Sequence, residues 1–92
     1  MIKSFAHKGL EDFFLYGVTK GIQAKHAARL EGLLDRLDAA ITIKAMEFPG
    51  SGLHKLKGGL QGHWAVKVSG NWRLTFRFEG GDAHVVDYQD YH

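Results

Sequence analysis

The sequence predicts an α+β fold, in which an N-terminal strand and a helical hairpin pack on a small, mainly antiparallel twisted sheet. Three observations carry this expectation. Ala27, Leu30, Leu34, Leu37 and Ile41 recur in steps of three and four, which draws one apolar stripe along a helix. From His63 the period drops to two, with Trp64, Val66 and Val68 pointing one way and His63, Ala65 and Lys67 the other. Two turns, Ser69-Gly70-Asn71 and Gly80-Gly81, then separate further alternating runs into a meander. Ninety-two residues suit one modest core, so residues 1–92 are expected to form a single domain.

Taken in order, Ile2 to Phe5 reads as a short first strand. From about Lys8 to Tyr16, Leu10, Phe13 and Phe14 fall at helical spacing, and Gly17 is placed to cap that helix. Val18 to Gly21 is a connection. The second helix carries the apolar stripe, with Lys25, Arg29, Glu31, Asp35, Arg36 and Asp38 on its other faces. Gly32 inside it costs about 1 kcal/mol relative to Ala, which suggests that another backbone comes close there. The mixed sign of the polar face argues against a membrane-surface helix. Phe48-Pro49-Gly50-Ser51-Gly52 is a loop signal, and Lys57-Gly58-Gly59 after it reads first as an ordinary turn. The spacing of a phosphate-binding P-loop is absent.

The meander has one face packed on helices and one face open. If Ser69-Gly70-Asn71 closes the first hairpin, Val68 lies opposite Trp72 and Lys67 opposite Arg73. If Gly80-Gly81 closes the second, Glu79 pairs with Asp82, Arg77 with His84 and Arg73 with Tyr88. The open face then gathers His63, Lys67, Arg73, Arg77 and Tyr88, with Asp90 and His92 extending past Arg73. Like charges directly opposite each other are unfavourable in a sheet, so Lys67 across from Arg73 asks for an anion, and a phosphate backbone would serve. His7, His26 and His84 are expected to be solvated or capping histidines.

Charge distribution agrees with an anionic partner. The net charge is +2, but residues 44–77 hold six Lys/Arg and one acid, which leaves the remainder acidic. There is no cysteine, so neither a disulfide nor a thiolate zinc site can form. No apolar run approaches a membrane span and no secretory h-region opens the chain, so the cytoplasm is the expected compartment. The six histidines show no helical i, i+4 or His-x-His spacing, so no metal or other cofactor is expected.

The chemistry concentrates at the end of the chain, Asp87-Tyr88-Gln89-Asp90-Tyr91-His92. Metal-free RNA cleavage needs a base for the 2′-hydroxyl proton, an acid for the leaving 5′-oxygen and cations for the charge on the phosphorus oxygens. Arg73 suits the last role, because its planar fork binds phosphate oxygens in pairs. Lys57 adds a point charge. Asp90 or His92 can act as base or acid, histidine having an unperturbed pKa of about 6.5. Tyr91 can stack on a base or donate its hydroxyl.

These residues resemble a known family. Met1-Ile2-Lys3-Ser4-Phe5, Leu53-His54-Lys55-Leu56-Lys57-Gly58, Trp64-Ala65-Val66-Lys67-Val68, Asn71-Trp72-Arg73-Leu74-Thr75-Phe76 and the closing Asp87 to His92 are similar to the HigB-type toxins of the RelE/ParE superfamily. The Asn-Trp-Arg segment with a terminal Asp-Tyr-His is specific in combination. The resemblance runs over the whole chain. It implies a RelE-like fold and the toxin of a type II toxin–antitoxin system: a ribosome-dependent endoribonuclease that cuts mRNA and inhibits translation. It also implies a HigA-like antitoxin with a helix-turn-helix, in a complex holding two toxins. Lys57, Arg73, Asp90, Tyr91 and His92 fall on the family's active-site positions, with His54 and Asn71 as supports. Lys55, Lys67 and Arg77 are further candidates for RNA contact, Lys67 being nearest to a basic position the family often has before Asn-Trp-Arg. The alternative is a non-catalytic toxin of the same fold that binds a protein target such as DNA gyrase.

Overall fold

The computed structural model describes residues 1–58 and 62–90. Helix α1, Lys8–Tyr16, starts where His7 Nδ1 accepts the Leu10 N–H at 3.0 Å. His7 is therefore a capping histidine, satisfying one of the amides that a helix start leaves open. The Lys8–Asp12 ion pair, 2.9 Å and one turn apart, supports the first turn. Gly17 ends the helix in the left-handed region, φ 72°, and returns its N–H to Phe13 O. Helix α2, Ala27–Ala39, follows a single 3-10 turn at Ala24–His26. It buries Leu30, Leu33, Leu34 and Leu37.

Two expectations for this helix are corrected. Ile41 is 81% exposed, because the backbone turns extended at Ala40 and the stripe stops with the helix. Nothing lies within 4 Å of a Cβ built on Gly32, so no backbone approaches it. The close approach is elsewhere: a Cβ on Gly9 would sit 2.7 Å from Gly21 Cα, where the start of α1 meets the connection before α2.

Four strands follow: β1 His54–Lys55, β2 His63–Ser69, β3 Trp72–Glu79 and β4 Asp82–Asp90, antiparallel in the order β1-β2-β3-β4. Ile2 to Phe5 is not a continuous strand. It touches β4 by two isolated parallel bridges, Ile2 with Ala83 and Phe5 with Val86, which makes the sheet mixed at that edge. The core lies between the helices and one face of the sheet, where Leu10, Leu30 and Leu34 meet Val66, Leu74 and Phe76. On the other face Ala65 and Thr75 are also buried, so the centre of the face expected to be open is dry.

The meander and most of its register are as the alternation predicts. Lys67 pairs with Arg73, Arg77 with His84, and Glu79 with Asp82. Both hairpins nevertheless contain an irregularity. Ser69, not Val68, pairs with Trp72, and Val68 is left buried in the shift between Lys67 and Ser69. In β4 the register shifts between Thr75 and Arg77, so Gln89, not Tyr88, faces Arg73. Tyr88 therefore turns inward and is only 4% exposed. A bulge puts two residues against one and moves every later side chain to the other face.

Candidate active site on the polar face of the sheet

Three rows of partnered residues cross the polar face. Lys67, Arg73 and Gln89 form one; His54, Ala65, Thr75 and Asp87 the next; His63, Arg77 and His84 the third. Arg73 sits at the end of the face beside the β2–β3 turn. Its Nη1 donates to Gly70 O at 2.7 Å and to Trp72 O at 3.1 Å. Those carbonyls fix the guanidinium at the mouth of the turn, next to the like-charged Lys67. Asn71 lies exposed in the same turn.

Gln89 completes the row and ties it to the next. Its amide donates to Thr75 Oγ1 and to Asp87 Oδ2, both at 3.0 Å. Asp87 Oδ1 in turn accepts the Tyr88 N–H at 2.8 Å. Asp90, exposed at the end of β4, pairs with Trp72, one position beyond Gln89, so the irregularity in β4 takes it off the face of Arg73 on which the alternation alone would put it. Tyr91 and His92 lie outside the described residues.

His54 projects from β1 onto this face beside Ala65. Its Nδ1 lies 3.0 Å from Gly52 O. A carbonyl only accepts, so Nδ1 carries the proton and the neutral ring keeps its lone pair on Nε2. That tautomer is a proton acceptor. Lys57 is exposed just beyond β1, lining a shallow hollow with Lys55, Leu56, Gly58 and Gly62. Lys55 shares that hollow with Lys57 but stands off the three rows of the polar face. Its strand partner is Trp64, on the helix side of the sheet, and its Nζ stacks 5.6 Å from the Trp64 ring centre. Arg77 is in the third row, 3.6 Å from Glu79 through Nε. His63 Nδ1 and Arg77 Nε are buried without a hydrogen-bond partner. Among the described residues, no group of three His, Cys, Asp or Glu side chains could hold a metal ion.

Behind this face the packing is aromatic. Trp72 stacks on Tyr88 with ring centres 4.4 Å apart, and His26 meets both edge-on. His26 Nδ1 lies 2.5 Å from the Tyr88 hydroxyl. His26 is 3% exposed rather than solvated, and burial lowers its pKa below the ordinary histidine value. Burial raises that of Tyr88, while the Gln23 backbone beside its hydroxyl works the other way. With both groups neutral, a single proton lies between the Tyr88 hydroxyl and His26 Nδ1.

Several residues that build the site do not announce themselves in the sequence. Arg29 reaches from α2 to Lys67 O at 2.9 Å and Gly50 O at 3.0 Å, both through Nη2. Lys67 N–H donates to Ser51 O at 2.8 Å. The irregularity beside Lys67 is thus clamped from two sides. Arg29 reads as a solvated helix residue, and no local pattern marks its partner 38 residues away. Thr75, Asp87 and Gln89 share this property, because their roles depend on the bulge in β4.

The geometry can be set beside known proteins. The family model for the RelE-like toxin of the HigB type II toxin–antitoxin system matches residues 3–92. The chain belongs to that family. The α+β arrangement of two helices and an antiparallel meander agrees with a RelE-like fold. A Proteus vulgaris protein named Endoribonuclease HigB is 45% identical over 92 residues, the whole of both chains. As a HigB-like toxin, this chain has an antitoxin for a partner.

Proposed function

We propose that this protein is a toxin endoribonuclease that cuts mRNA on the ribosome, without a metal, by attack of a 2′-hydroxyl on the adjacent phosphate. Membership of the HigB-like family and the name of the Proteus vulgaris relative support the toxin and its endoribonuclease activity. The observation that carries the local reading is the Lys67–Arg73 pair. Two cations face each other on a polar surface, with Arg73 held at a turn mouth by Gly70 O and Trp72 O. An anion at that point relieves their repulsion.

In the reaction a base removes the 2′-hydroxyl proton, and the 2′-oxygen bonds to phosphorus. The bond from phosphorus to the 5′-oxygen breaks, and an acid returns a proton to that oxygen. The products are a 2′,3′-cyclic phosphate and a 5′-hydroxyl end. Arg73 and Lys57 cover charge on the phosphorus oxygens. Asp90 and His92 are the acid and base, and the Nε2 lone pair of His54 is a further proton acceptor, on the face that carries Arg73. Tyr91 stacks on a base. Asn71, Lys67 and Arg77 contact RNA around the reaction centre. Lys55 contacts RNA from the hollow it shares with Lys57, off the three rows of the polar face.

Residues 1–92 form one toxin domain that works in the cytoplasm, and no helix among the described residues is long and apolar enough to cross a membrane. The antitoxin is HigA-like with a helix-turn-helix, and its complex holds two toxins. The test is induction of wild type and Arg73→Ala, with primer extension on one abundant transcript. Cuts in translated regions, lost in Arg73→Ala and absent when initiation is blocked, are expected. Growth arrest with intact mRNA would overturn the reading and direct the search to a protein target such as gyrase.

A further inference from the structure

We infer that Ser4, Val85 and Tyr88 form a register lock that decides which residues of the last strand face Arg73. The inference rests on the reading of Arg73 and the end of β4 as the reaction site, and it makes Ser4 and Tyr88 positioning residues.

Val85 is the non-glycine residue with positive φ, 47°, among those described. A β-branched residue avoids that region, so the surroundings must enforce it. Ser4 does so with two groups. Its Oγ accepts the Val85 N–H at 2.8 Å, and its carbonyl accepts the Val86 N–H at 3.0 Å. With Thr75 paired to Asp87 and Arg77 to His84, Val85 and Val86 together stand against Phe76.

The extra residue changes what the site contains. An uninterrupted count from the Glu79–Asp82 pair would bring Tyr88 opposite Arg73 and send Asp87 into the core. With the bulge, Gln89 meets Arg73 and Asp87 meets Thr75, where their side chains are hydrogen-bonded. Tyr88 points inward, stacked on Trp72 with its hydroxyl on His26. The two fastenings stand on either side of Asp87: Ser4 before it and the His26–Tyr88 contact after it. A slip of one residue exchanges the two faces of everything downstream.

The chain has no cysteine, so paired cysteines can report register directly. Thr75→Cys with Asp87→Cys tests the observed pairing; Thr75→Cys with Val86→Cys tests the slipped one. Placed in the native background, the first pair should oxidise to a disulfide and the second should not. Adding Ser4→Ala should lower the yield of the first and raise that of the second, and Ser4→Thr should restore the native ratio. In the cysteine-free protein on mRNA-programmed ribosomes, Ser4→Ala should lower kcat about ten- to a hundredfold with KM unchanged. Ser4→Thr should recover it, and Val85→Gly should hold the native cross-link ratio, because glycine accepts φ 47° without strain. An unchanged cross-link ratio in Ser4→Ala would overturn the lock, as would a Ser4→Ala defect that Ser4→Thr does not repair. If wild type fails to cut programmed ribosomes, the reaction reading falls, and the cross-link ratio alone then judges the lock.

Discussion

Strand β3 puts its two kinds of work on opposite sides. Trp72, Leu74 and Phe76 face the helices, and Leu74 and Phe76 are completely buried. Arg73, Thr75 and Arg77 face the other way, into rows whose partners from β2 and β4 are polar apart from Ala65. The helix side is held by packing and by one aromatic cluster in which burial shifts the pKa of His26 and Tyr88. The polar side is held by hydrogen bonds that Arg73 donates to carbonyls at the turn and Gln89 to Thr75 and Asp87. Neighbouring residues such as Trp72 and Arg73 should therefore fail differently, one through stability and the other through turnover. A small protein can place a charged site on a sheet because the layer beneath it is packed without exposed charge and holds the strand register.

The sharpest break of this comparison is Phe76→Ala. Emptying a fully buried aromatic site should cost about 3–5 kcal/mol, read as a lower urea midpoint with toxicity lost through unfolding. Gly9→Ala comes next. Its Cβ would meet Gly21 backbone at 2.7 Å, and overpacking of that kind costs about 1–3 kcal/mol, again on the helix side and again visible in urea. Tyr88→Phe keeps the ring but leaves His26 Nδ1 without its buried partner. A loss of about 1–3 kcal/mol is expected, checked by thermal unfolding against the double variant with His26→Phe, whose added loss should be smaller than the sum.

The smallest effect is pH dependence. Burial holds the folded pKa of His26 below the ordinary value of 6.5, so the unfolded chain takes the proton first. Stability is then fullest above about 6.5 and falls as pH drops through that value toward the folded one. His26→Phe should flatten this slope in a series of melting curves, whereas His54→Phe should leave the His26-dependent slope in place.

Much of this division is legible in the sequence. The limits of α1 and its Gly17 cap, the apolar stripe of α2, both turns and the Lys67–Arg73 and Arg77–His84 pairs follow from periodicity and turn chemistry. What fails has physical causes. Ile41 continues the helical count, but no glycine or proline marks where the helix stops. The two-residue strand at His54–Lys55 is too short for alternation to show that Lys55 turns away. His26 lies just before the clear stripe, and its partner is 62 residues distant. The bulge in β4 is invisible as a propensity, since Val85 and Val86 both suit a strand. Its signal is indirect: unbroken alternation would bury Asp87 and expose Tyr88. Two residues on the wrong faces are a sign of one extra residue upstream.

The most direct test of the divided sheet is a paired measurement on Arg73→Ala: urea unfolding beside mRNA cleavage on programmed ribosomes. Stability within about 0.5 kcal/mol of wild type, with turnover reduced about a hundred- to a thousandfold, is the predicted result. An Arg73→Ala protein that unfolds as Phe76→Ala does, or one that still cuts at the wild-type rate, would contradict it.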